Sequence, residues 1–370
     1  CDNLAAVGEI LDRLSCQSVF LVADPVAFEM SGASESLGGI LASRRVTVFR
    51  EFQPNPNLGE LLCGIESYRA CQPDIVLAVG GGTAIDLAKL TGFCAAQPAD
   101  PVDLIKSPTT HAHKGPPVVA APTTAGTGSE ATHFAAVYLD GRKYSLAHPY
   151  LLPDFAIVDA SLTESMPPSI TAETGLDAFC QAVESIWSVH STNESIGYAA
   201  EAIPLAWRHL EAAVRHPTRD DRVAMCRAAH LAGKAINISK TTASHAISYT
   251  ITSELGVPHG RAVALTLGPM LAFVSAVVEE DCSDPRGPDH VRHVIDQVVQ
   301  LLGCRTAAQT DRAIQQWIAS LDCPTRLAEV GTTGDAGIEM IVSGVNVDRM
   351  ANNPRRLTDR SLEALLKSIQ

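Results

Sequence analysis

The stretch "AVGGGTAIDLAK" (residues 78–89) joins an apolar, strand-like run to Gly80, Gly81 and Gly82, and then to a helical pattern that opens near Thr83. That order places free backbone N–H groups at a helix N-terminus, where an anion is held, and the glycines let a pyrophosphate approach the backbone. Three glycines before a helix also make an ordinary tight turn, and the spaced GxGxxG fingerprint is absent. A second stretch, "APTTAGTGSEAT" (121–132), again follows a strand-like run and sets Thr123, Thr124, Thr127 and Ser129 among two glycines. Hydroxyls and backbone donors at that density suit a phosphate or a ribose. Asp24 ends another such run, "SVFLVAD"; an acid there either binds an adenosine ribose in the crevice of an open α/β sheet or caps the following helix.

Working outward, "SVFLVAD", "RVTVFREF", "DIVLAVGGG", "PVVAAPTT" and "FAIVDA" alternate with helical patterns through the first 160 or so residues. Strand–helix alternation of this kind implies a mostly parallel sheet covered by helices. After "MPPSI" the patterns are almost all helical, among them "DAFCQAVESIW" and "HVRHVIDQVVQLLG". The expected organisation is therefore an α/β domain over residues 1–163 and an all-α domain over 164–370. A chain of 370 residues exceeds the roughly 250–300 at which single cores stop growing, which agrees with two domains.

Composition excludes several classes. The chain is 46% hydrophobic and 19% charged, with no apolar run near the roughly 20 residues a membrane span needs. A formal charge of −13 argues against nucleic acid or an anionic membrane as the main partner. The ten cysteines show no CxxC pair and no scaffold density, so reduced thiols and a cytoplasmic location are expected, with no signal-peptide pattern visible.

The helical half carries the second constellation. In "TGLDAFCQAVES", Asp177 and Gln181 stand four apart, on one helix face. In "SHAISYTITSELGVPHG", His245 lies on a helix that ends at Gly256, and His259 follows in the loop, fourteen residues after His245. One carboxylate, one amide oxygen and two imidazoles suit Fe(II) or Zn(II).

Taken together, "VGGGTAIDLAK", "PTTAGTGSE", "TGLDA…Q", "HAISY…GVPHG" and "NNPRRLT" resemble, in order and over nearly the whole chain, the iron-containing (group III) alcohol dehydrogenase family. The resemblance implies the dehydroquinate synthase-like fold: an N-terminal dinucleotide-binding α/β domain, a helical C-terminal domain and a divalent metal in the cleft between them. The implied ligands are Asp177, Gln181, His245 and His259, with Fe(II) first and Zn(II) second, and the cofactor is NAD(P)H. Gln181 departs from the family's usual histidine, and an amide is the weaker donor. Tyr249 departs from a further histidine thought to relay a proton. Its hydroxyl either serves the developing alkoxide or belongs to a packed aromatic.

The expected cofactor-binding set is Asp24, Asn55, Gly81, Gly82, Thr83, Asp86, Thr123, Thr124, Thr127, Ser129 and Lys143. Asp24 leans toward NAD, because an acid there repels a 2′-phosphate. Within the family, "GKAINISKTTASHAISY" and "ESIWSVHST" look most like phosphonoacetaldehyde reductases of phosphonate antibiotic biosynthesis, which make 2-hydroxyethylphosphonate. A neighbouring branch oxidises the terminal hydroxyl of an octulosonate sugar acid. Candidates for holding an anionic aldehyde are His133, Lys240 and Thr241, with Thr242 beside them. A generic primary-alcohol enzyme and a dehydroquinate synthase-like lyase remain as competing readings, and a homodimer is expected.

Overall fold

The computed structural model of the chain describes residues 3–107, 112–345 and 350–370. It divides into two compact units, Cys1–Met166 and Pro167–Gln370.

The first unit contains strands β1 (Ser18–Ala23), β2 (Arg45–Phe49), β3 (Ile75–Gly80), β4 (Val118–Pro122), β5 (Phe134–Leu139), β6 (Arg142–Ala147) and β7 (Phe155–Ala156). Between them run helices α1 (Ala6–Arg13), α2 (Ala27–Met30), α3 (Ala33–Leu41), α4 (Leu58–Cys71), α5 (Gly82–Ala95) and α6 (Pro101–Lys106). Five strands form one parallel sheet in the order β2-β1-β3-β4-β7. Its residues alternate between two apolar layers: Phe20, Val22, Val76 and Ala78 enter one, and Val19, Leu21, Leu77 and Val79 the other. Burial on both faces is why these strands read as unbroken apolar runs.

From β1 the chain passes first to one side, to β2, and then to the other, to β3. The carboxyl ends of β1 and β3 therefore flank the switch point, where open α/β sheets bind ligands. The antiparallel hairpin of β5 and β6 had no counterpart in the sequence reading. Its signal was present: Asp140 and Gly141 both take positive φ, 50° and 76°, as a two-residue Asp-Gly turn requires.

The second unit begins with α7 (Pro168–Trp187), α8 (Asn193–Arg215), α9 (Arg219–Ser239), α10 (Ala243–Leu255) and α11 (His259–Ser275). It continues through α12 (Pro288–Leu301), α13 (Ala307–Ser320), α14 (Gly334–Gly344) and a last helix, Asp359–Ser368. Every residue of α7 from Gly175 to Trp187 is buried, because α8, α9, α11 and α12 pack around it. The contact with α11 is close: a Cβ built on Gly260 would lie 1.9 Å from the Glu173 carbonyl oxygen. Polar side chains on a helix wrapped this way are costly to bury unless each is paired or serves a site. Asp177, Gln181 and Glu184 are three such side chains.

Candidate functional site

At the carboxyl edge of the sheet, three loop starts meet. The Asp24 N–H donates to the Val79 carbonyl and the Thr123 N–H to the Gly80 carbonyl, each at 3.0 Å. Gly80 has φ 158°, and a Cβ there would sit 2.6 Å from the Ala84 Cβ and 2.9 Å from the Asp24 Cβ. A Cβ on Gly82 would meet the Thr127 methyl at 2.7 Å, so the glycine turn lies directly against the threonine loop. Gly81 is the extended N-cap of α5 with no side-chain cap, which leaves the helix's first N–H groups pointing outward near Gly82 and Thr83. The Thr123 hydroxyl is buried without a hydrogen-bond partner among the described residues, and Thr124 is half-buried beside it.

Two other expected cofactor residues, Asp24 and Asp86, make internal ties. Asp24 caps: its Oδ1 accepts from the N–H groups of Val26 and Ala27, at 3.0 and 2.7 Å. Asp86 accepts from the Ser129 hydroxyl and from the Ala136 N–H. Lys89, which the sequence reading passed over, is fully buried. Its ammonium reaches the Ser129 carbonyl, the Ser129 and Thr132 hydroxyls and the Phe134 carbonyl, at 2.9, 3.1, 3.2 and 2.6 Å. Burial pulls its pKa down to about 8, against the opposing charges of Asp86 and Glu130. Lys89 thus pins the second loop to α5. Asn55 is exposed with φ 63°. Lys143 lies on β6 opposite Tyr138. His133 begins β5's neighbourhood, its ring edge-on to Phe134.

In the second unit, α7, α10 and α11 bring three ligand-type side chains together. One ligand atom each from Asp177, His245 and His259 lies within 4.8 Å of the others. His245 Nε2 is 3.3 Å, and His259 Nε2 3.9 Å, from Asp177 Oδ1. Gln181 is buried one turn beyond Asp177 on the same helix. His245 sits on α10, which ends at Gly256 with φ 68° as the sequence suggested. His259, however, is the first residue of α11 rather than a loop residue, because Pro258 starts a new helix there.

Glu184, absent from the sequence-based candidates, is fully buried and pairs with His245 Nδ1. Burial alone would depress His245, but the charge of Glu184 and hydrogen bonds to Asp177 and Glu184 outweigh it and push its pKa to about 10. Two buried carboxylates, Asp177 and Glu184, thus face His245. Ser248 donates to the His245 carbonyl at 2.7 Å and lies 3.3 Å from His259 Nδ1. The Tyr249 ring stacks on the His259 ring.

Lys240 is exposed and caps the C-terminus of α9; it is not on the helix of His245, which begins at Ala243. The Thr241 carbonyl accepts from Asn352. Thr242 corrects an expectation: it is buried, and its hydroxyl donates to Glu184 at 2.6 Å, so it is taken up inside the protein and does not face a substrate.

A switch-point crevice in one unit and a compact carboxylate–imidazole cluster in a helical second unit are the two parts that a metal-dependent dinucleotide enzyme needs. The family description "Iron-containing alcohol dehydrogenase" matches residues 1–160, and "Fe-containing alcohol dehydrogenase family, C-terminal" matches residues 171–370. The chain belongs to the iron-containing alcohol dehydrogenase family and is an enzyme of alcohol–aldehyde oxidoreduction.

Among its relatives, phosphonoacetaldehyde reductase from Streptomyces viridochromogenes is 37% identical over 80% of this chain and 76% of its own. Long-chain-alcohol dehydrogenase 1 from Geobacillus thermodenitrificans is 29% identical over 96% of this chain and 90% of its own. The crystal structure of sulfoacetaldehyde reductase from Bifidobacterium kashiwanohense in complex with NAD+ is similar with a TM-score of 0.86 and 28% identity, covering 99% of this chain and 94% of that one.

Proposed function

We propose that the protein reduces a small anionic aldehyde to its primary alcohol with NAD(P)H, phosphonoacetaldehyde to 2-hydroxyethylphosphonate being the first candidate, in phosphonate natural-product biosynthesis. The observation that carries the reading is the convergence of Asp177, His245 and His259 in a chain 37% identical to a phosphonoacetaldehyde reductase. A cytoplasmic homodimer is part of the same reading.

The residues fit a divalent metal. Ligands about 2.1 Å from one ion lie roughly 3–4 Å apart, and the 3.3 and 3.9 Å separations fall in that range. Asp177 and Glu184 bring two negative charges, and the remaining donors are neutral when they ligate, so a dication balances the buried cluster. Asp177, Gln181, His245 and His259 would hold it. The cofactor would be held on the other unit, where Gly81 and Gly82 would admit a pyrophosphate, the α5 N-terminus would face its charge, and the buried Thr123 hydroxyl would be available to it. When bound, the dication supplies Lewis-acid polarisation of the aldehyde oxygen and the nicotinamide supplies the hydride.

The chain's own groups do the rest. Tyr249 Oη gives a proton or hydrogen bond to the alkoxide oxygen. Lys240, Thr241 and His133 are the candidate anchors for the anionic group, a phosphonate offering three acceptor oxygens to such donors. Lys89 and Asp86 keep the Ser129 loop against α5, so the hydroxyls that would meet the cofactor are already in position.

The test is consumption of NADH or NADPH, followed by absorbance, with phosphonoacetaldehyde, sulfoacetaldehyde and neutral aldehydes of matched length. The reading expects the two anionic aldehydes to lead in kcat/KM. Faster turnover of the neutral set would instead support a primary-alcohol enzyme, the reading favoured by the similarity to the long-chain alcohol dehydrogenase. No turnover of any aldehyde would sink both.

A further inference from the structure

The last turns of α7 carry a buried network of their own. Glu184 follows Asp177 by seven residues, on the same helix face, and is 0% exposed. Its Oε1 accepts from the Thr242 hydroxyl at 2.6 Å and the Ser244 N–H at 2.8 Å. The direction of the first bond is fixed: Trp187 Nε1, which can only donate, gives its proton to Thr242 Oγ1 at 2.9 Å, so the hydroxyl proton goes to Glu184. The other oxygen, Oε2, faces His245 Nδ1.

We propose that Glu184 is the positioning residue of the metal centre: by accepting the Nδ1 proton of His245 it makes Nε2 the nitrogen that gives up its proton and turns a lone pair to a metal beside Asp177. This rests on the metal-site reading above. Ser248 does the parallel service for His259: its own proton is committed to the His245 carbonyl, so its oxygen is the acceptor for an N–H on His259 Nδ1. Both imidazoles then turn Nε2 inward. A carboxylate behind a ligating imidazole also makes it the stronger donor, which matters most in a site where an amide occupies the fourth position.

Glu184→Gln keeps the shape but can set an amide N–H against His245 Nδ1, favouring the tautomer whose Nε2 carries the proton. Zn(II) and anaerobic Fe(II) are loaded, and retention is measured by competition with a chelator, beside circular dichroism and the visible spectrum of the Co(II) form. The expected result is about 10–100-fold weaker retention and an altered Co(II) spectrum in a folded protein. Thr242→Val removes one donor to Glu184 without touching His245 and should weaken retention several-fold, which keeps the test decisive if Glu184→Gln does not fold. Wild-type retention in either folded variant overturns the assignment of Glu184. A wild-type protein that retains none of the three metals overturns the metal reading itself, and this proposal with it.

Discussion

The rings of Tyr249 and His259 stack, with centroids 5.5 Å apart and planes 11° from parallel. One turn after His245 on α10, Tyr249 thus braces the other histidine of the cluster, on α11, and its hydroxyl is a separate asset. Tyr249→Phe keeps the stack and should leave metal retention unchanged while lowering kcat about 100-fold, the scale of a lost general acid. Tyr249→Ala should lower both. Equal kcat for wild type and Tyr249→Phe would leave the hydroxyl no part in the chemistry.

His259→Ala removes a proposed ligand and should abolish metal binding and turnover together. Chelator treatment of the wild type should do the same, reversibly on adding Fe(II) or Zn(II). Gln181→His offers imidazole in place of an amide, so metal should resist a chelator for longer. Retention that is unchanged or weaker would take Gln181 out of the ligand set.

Lys240 holds φ 60° and ψ 174°, a region close to glycine-only for L residues. The turn is fixed on both sides: the Ser188 hydroxyl donates to the Ser239 carbonyl at 2.6 Å and Asn352 to the Thr241 carbonyl at 3.0 Å. Lys240→Gly should therefore raise stability by about 1 kcal/mol in urea unfolding, through relief of strain. The same variant should raise KM for phosphonoacetaldehyde at least about tenfold, roughly 1.4 kcal/mol, and spare neutral aldehydes. Equal losses on charged and neutral aldehydes would show that Lys240 supports the fold or the cofactor instead.

Gly260 sits where α11 crosses α7, beside His259. Gly260→Ala must move the helices apart, because its Cβ would meet backbone rather than a flexible side chain. A loss of about 1–3 kcal/mol in stability is expected, together with weaker metal retention as His259 draws away from Asp177. Unaltered retention would show that the cluster tolerates the shift.

Stability should fall on the acid side partly through Asp221. Burial raises its carboxyl, but hydrogen bonds from the Thr218 hydroxyl, His209 and the Thr218 N–H outweigh that and hold it below the usual carboxylate range. A carboxyl whose pKa is lower folded than unfolded stabilises above its unfolded pKa, and that contribution drains away as pH falls through the folded value. Asp221→Asn should cost about 1 kcal/mol at pH 7, as lost helix-start bonds do. It should also flatten the decline of urea midpoints below about pH 4; parallel declines in the two proteins would count against the assignment.

Much of this enzyme was written in local pattern. The five strands of the parallel sheet, the glycine turn before α5, the shared face of Asp177 and Gln181 and the Gly256 stop after His245 all follow from periodicity and turn chemistry, which act over a few residues. Partner choice needed the folded chain. Glu184 and His245 are 61 residues apart in sequence, Lys89 and Ser129 are 40 apart, and Thr242 read as a candidate for holding an anion until α7 was laid beside it. No local signal records such pairings, because they exist only where helices and loops far apart in sequence pack at contact distance. Packing around α7 is what buried Glu184 completely and left its oxygens protein donors, and so made an acid in an apolar run the partner of His245.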